Sequence, residues 1–172
     1  MKRVVMVAVA AVAALTAIAP DRAHGAGQLA QVQQDFSRDP GWEGAGNRLP
    51  VAFPPRVMQR FGYRRTNHAG KAPGEVGGYI QSTTRPAWYA KAIEERTMES
   101  LLSFSGSLAL LEGRAISGWH TLAEVNIGFF NSAEQGWRPK NFMGFRLAGS
   151  NEPDGVLVEL HYGTRTGAAG GV

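Results

Sequence analysis

Thr121-Leu-Ala-Glu-Val-Asn-Ile-Gly-Phe-Phe130 is the stretch that decides the fold. Ala123, Val125, Ile127 and Phe129 fall on one side of an extended chain, and Glu124, Asn126 and Gly128 fall on the other. That period of two marks a strand with one buried face. Two later stretches repeat it. Residues 141–148 set Met143, Phe145 and Leu147 against Phe142, Gly144 and Arg146. Residues 156–165 set Val156, Val158, Leu160 and Tyr162 against Leu157, Glu159, His161, Gly163 and Arg165. Turn formers separate them: Gly136, Pro139 and Lys140, then Gly149-Ser-Asn-Glu-Pro-Asp-Gly155. The reading is three consecutive antiparallel strands, each with an apolar side turned inward and a mixed polar side turned outward.

Upstream, the pattern thins but keeps its character. Residues 101–110 alternate over ten positions and read as a long strand. Residues 75–81 and 87–93 read as shorter ones, and Gln31 to Phe36 as a first strand stopped by Ser37-Arg-Asp-Pro-Gly41. Residues 43–55 and 61–74 are rich in glycine, proline and polar residues and read as loops. Residues 94–102 have helix-forming composition but are short, so a single turn between strands fits equally well. Strands at this spacing, without convincing helices between them, predict an all-β antiparallel sandwich or jelly roll. The chain stops at Val172 soon after a strand, which suggests a sandwich cut short of its full sheet. Such a domain exposes strand edges and an apolar patch.

Composition bounds the function classes. The 172 residues carry 22 glycines, 9 prolines and no cysteine, so disulfides and cysteine-ligated metals are excluded. Lys2 and Arg3 precede the apolar run Val4 to Ala19, and Ala23-His-Gly25 offers small residues for a signal peptidase. The expected organisation is an export signal at 1–25 and one domain at 26–172, giving a secreted or periplasmic protein. The apolar run has 16 residues where a membrane-spanning helix needs about 20, so no stable anchor is expected after cleavage. Removing residues 1–25 lowers the net charge from +4 to +2, because three cations and one anion leave with them. With no dense Lys/Arg stripe remaining, nucleic acid is not an expected partner.

The outward side of the three strands carries the candidate chemistry. Glu124, Asn126, Arg146, Glu159, His161 and Arg165 share that face if the strands are neighbours, and Trp119 lies where a ring could stack on a sugar. Glu124 and Glu159 are the only carboxylate pair to nominate for catalysis. Against this stands a plain solvated sheet face, which also carries scattered polar residues. Asn67 and His68, with Glu75 seven residues on, form a second candidate as a loop-borne ligand contact or half a metal site. No compact metal-ligand spacing accompanies them, so no metal or other cofactor is expected. Calcium held by backbone and Asp/Asn oxygens stays compatible with a jelly roll, although no Asp-rich loop announces it. Neither a phosphate loop nor a serine-hydrolase elbow is present.

Several local stretches together carry a family resemblance. Asp35-Phe36 with Asp39-Pro-Gly-Trp42, Phe61-Gly-Tyr63, Thr66-Asn-His-Ala-Gly70, Gly74-Glu-Val-Gly-Gly78 and Ile127-Gly-Phe-Phe-Asn131 resemble exported proteins with the concanavalin A-like lectin/glucanase fold. The resemblance implies two curved antiparallel sheets with carbohydrate on the concave face. The Glu-x-Asp-x-x-Glu signature of its laminarinase-type hydrolases is absent: Glu124 is followed by Asn126, and an apolar residue stands at the third acid position. The expectation is therefore carbohydrate binding first. Polysaccharide cleavage by a hydrolase or lyase comes second, and a structural or adhesion module without a sugar ligand third.

Overall fold

The computed structural model describes residues 5–10, 32–49, 59–80, 87–96, 101–111, 124–133, 141–149, 156–164, 166 and 169–171. Among them there is no helix, and all strand pairings are antiparallel. The all-β expectation holds. The strands are β1 (Val5–Ala10), β2 (Glu43–Ala45), β3 (Arg48–Leu49), β4 (Gln59–Arg64), β5 (Glu75–Ile80), β6 (Trp88–Ala90), β7 (Ser107–Leu110), β8 (Val125–Phe129), β9 (Phe142–Gly149), β10 (Val156–Gly163) and β11 (Ala169–Gly171). They form a five-stranded sheet in the order β3-β4-β5-β1-β7, a four-stranded sheet β11-β10-β9-β8 and a two-stranded ribbon β2-β6.

The three strands read from their alternation are neighbours in one sheet. Register fixes the rows: Asn126 faces Arg146, and Arg146 faces Glu159. One step along, Val125 faces Leu147 and Leu147 faces Val158. Gly128 and Gly144 are opposite each other. A Cβ on Gly128 would stand 2.2 Å from the Met143 carbonyl oxygen, and one on Gly144 equally close to that of Ile127. Two glycines here let the backbones approach more closely than side chains permit.

Val125 and Leu147 form the buried centre, and Ile80 of β5 and Leu110 of β7 pack against them. This is where the two larger sheets touch. Leu147 is 1% exposed, while on the same face of β10 Val158 and Leu160 are 58% and 57% exposed and Tyr162 is 46% exposed. The side of β10 expected to point inward is therefore largely uncovered. Alternation reports which residues share a face, but burial also needs an opposing layer, and Val158, Leu160 and Tyr162 are exposed while Val156 packs against the buried centre.

Other differences are local. Residues 32–36 are not a strand; they lead to a buried Phe36 in the left-handed region, at φ 56°. Two stretches expected to be loops contain strands, β2 with β3 and then β4, because their hydrogen bonds come from partners distant in sequence. Asn47 fastens this region: it is buried, its side-chain amide donates to the Phe61 carbonyl at 2.7 Å, and its own carbonyl accepts from Phe61 N–H at 3.0 Å. The long strand expected over 101–110 is reduced to β7, with residues 101–106 irregular. β11 pairs with the end of β10. Within the expected export segment, β1 lies between β5 and β7 and pairs with both. Taking residues 1–25 away removes that shared neighbour and opens an edge on each.

Candidate functional site

The polar side of β8, β9 and β10 is organised by one guanidinium. Arg146, in the middle strand, donates from Nη1 to Glu159 Oε2 at 2.7 Å and from Nη2 to Glu124 Oε1 at 2.6 Å. All three side chains are largely shielded, at 15% exposure for Arg146, 16% for Glu124 and 27% for Glu159. The hydrogen bond that Arg146 donates to Glu124, reinforced by both carboxylate charges against the opposing effect of burial, raises the Arg146 pKa above its already high ordinary value. Charge-assisted bonds to both terminal nitrogens lock the rotamer of the central residue. Arg146 Nε is buried without a partner among the described residues.

His161 lies two register rows along, on the same face, where it is 9% exposed with its ring 6.1 Å from that of the buried Phe142. The structure thus brings Glu124, Asn126, Arg146, Glu159 and His161 onto one face of three adjacent strands. Arg165 and Trp119 lie outside the described residues. Both nominated carboxylates accept from the same guanidinium, an arrangement that fixes their geometry.

The second candidate group is elsewhere, on the loop between β4 and β5. Glu75 opens β5 and is completely buried. It accepts from the Thr66 hydroxyl, from Ala69 N–H at 3.0 Å, and from His68 Nδ1 at 2.7 Å. Because an ionised carboxylate only accepts, Nδ1 carries the proton. Burial works against the Glu75 charge, but the bonds from Thr66, Ala69 and His68 outweigh it and hold the carboxyl below its ordinary pKa. The loop is closed by Gly74 N–H donating to the Thr66 carbonyl at 2.8 Å. Asn67 and His68 are exposed on it.

Sequence reading placed His68 and Glu75 seven residues apart but did not find Thr66 or the Ala69 amide as partners. The available signal was the acid itself, Glu75 set among Gly74, Gly77 and Gly78 at the start of a strand, where a side chain is readily enclosed. Gly74 has φ +118°, and a Cβ there would stand 1.7 Å from the Phe36 carbonyl oxygen. Gly74→Ala is expected to cost at least about 2 kcal/mol, through backbone strain and the forced withdrawal of residue 36. Urea denaturation measures it.

The buried Phe36 ring packs edge-on to Trp42 at 5.3 Å, and Trp42 in turn meets Tyr89 at 5.7 Å. Burial first, then the Asp39 charge, push the Tyr89 hydroxyl pKa upward. No group of three or more His, Asp or Glu side chains suited to a metal ion occurs among the described residues.

No family model matches the chain, and neither the curated proteins nor the solved structures contain a match.

Proposed function

We propose that the protein is an exported carbohydrate-binding domain, and that the polar face of β8, β9 and β10 is its recognition surface. The observation that carries this reading is the row Asn126–Arg146–Glu159, with Glu124 beside it, built from three strands in fixed register and tied by hydrogen bonds. Sugar hydroxyls are recognised by donors and acceptors that do not have to be ordered at the moment of binding. The concanavalin A-like resemblance of the sequence supports the same reading, with the sheets as the two layers of a jelly roll. Engagement of Glu124 and Glu159 with Arg146 favours recognition over cleavage, since a glycosidase needs one carboxyl group free to deliver a proton.

The test is a glycan array probed with the full chain and with Asn126→Ala. Binding to at least one glycan is expected. Losing one amide contact should weaken it about tenfold, the worth of roughly 1.4 kcal/mol, without moving the melting temperature. A folded protein that binds no glycan sinks the reading.

A further inference from the structure

Away from the face of β8, β9 and β10, and independent of the carbohydrate reading, we propose that the loop between β4 and β5 holds a second site, where His68 Nε2 is a general base that activates water against a carboxylic ester. The ring is held from behind by a buried carboxylate. Glu75 is 0% exposed, and the Thr66 hydroxyl and the Ala69 amide both donate to it, which fixes its position. His68 Nδ1 donates to the same carboxylate at 2.7 Å, so the lone pair of the neutral ring sits on Nε2. Nε2 has no hydrogen-bond partner among the described residues, and the side chain is 38% exposed.

A base and the carboxylate that orients it are two parts of the arrangement that activates a nucleophile. The hydroxyl side chain of this loop, Thr66, already donates its hydrogen to Glu75, so water, which the exposed ring meets directly, is the nucleophile. As the water oxygen attacks the ester carbonyl carbon, Nε2 takes one of its protons and the carbonyl electron pair moves onto oxygen. The Glu75 charge offsets the imidazolium that forms. The intermediate then breaks its bond to the alcohol oxygen, which recovers the proton from Nε2, so ester and water become acid and alcohol and the ring is restored. Arg65 and Lys71, both exposed and three residues to either side of His68, give the loop positive charge, which lowers the cost of the oxyanion. Asn67 and residues 70–73 are exposed as well, so the ester is met in the open and the rate should rise linearly with its concentration.

Hydrolysis of ethyl dichloroacetate by the full chain, followed as acid release at about pH 8 with a chelator present, tests the proposal; an ordinary imidazole is neutral there. The second-order rate constant should exceed that of free imidazole at least about tenfold, because the base is oriented and its conjugate acid stabilised. It should also be smaller in D2O, since a proton moves in the step. His68→Gln keeps an N–H for Glu75 but has no base, and should fall to the uncatalysed rate. A parent no faster than free imidazole, a rate unchanged in D2O, or a folded His68→Gln variant as fast as the parent overturns the proposal. Hydrolysis that appears only when zinc replaces the chelator assigns Nε2 to a metal ion and overturns it too.

Glu75 acts through His68 as a positioning residue, and the tautomer reports that role apart from stability. Long-range proton–nitrogen correlation spectra should show the parent ring protonated at Nδ1 and bare at Nε2. In Glu75→Gln the ring should move toward the Nε2–H form that free histidine favours, and the rate constant should fall about tenfold. A parent ring protonated at Nε2, or a folded Glu75→Gln variant with unchanged tautomer and rate, overturns the assignment.

Discussion

Glu75→Ala is expected to destabilise the protein by about 3–4 kcal/mol, the largest effect of any single side-chain truncation considered. The carboxylate is completely buried and takes hydrogen bonds from the Thr66 hydroxyl, the Ala69 amide and His68 Nδ1. Truncation strands three donors, each worth about 1–3 kcal/mol when left without a partner, and hydration of the vacated space recovers part of that. The loop over 66–74 then loses its centre, so exchange of the Ala69 and Gly74 amides should accelerate together. Urea denaturation with amide exchange measures both effects.

The charge adds a pH signature with a definite sign. The Glu75 pKa lies lower in the folded chain than its ordinary 4.5. Its contribution is therefore complete above the unfolded value and disappears as pH falls through the lower, folded one. Glu75→Gln, which cannot ionise, should be less stable than the parent at neutral pH, and the gap should narrow in acid. A gap that stays constant from pH 7 to about pH 3 refutes the ionised, buried carboxylate.

Arg146→Met should cost about 2–3 kcal/mol. Breaking a fully buried ion pair by removing one partner costs about 3–5 kcal/mol, and the 15–27% exposure of these three side chains reduces that figure. Two carboxylates left facing each other repel. Adding Glu124→Gln and Glu159→Gln to Arg146→Met should restore most of the stability at neutral pH. A triple variant as unstable as the single one assigns the role of Arg146 to its aliphatic stem.

The sequence alone located the strands within 121–130, 141–148 and 156–165 and determined which residues share each face. Alternation is a local property of the chain, and a strand projects its side chains to two sides whatever it pairs with. It determined the all-β class for the same reason, since nothing between these stretches has the length or period of a helix. The polar residues of one candidate face could therefore be named before their neighbours were known.

Tertiary structure decided the rest. β2, β3 and β4 are held by pairings with distant segments, which composition cannot report, so glycine-rich sequence there concealed strands. Register, a matter of one residue's slip, put Asn126, Arg146 and Glu159 in a row and joined two candidate acids to one cation. Burial of Glu75 came from a loop folding back over it. Val158 and Leu160 are exposed although they share a face with the buried Leu147 row. Each depends on what stands opposite a residue. A linear pattern fixes the direction in which a side chain leaves the backbone, but not what it meets.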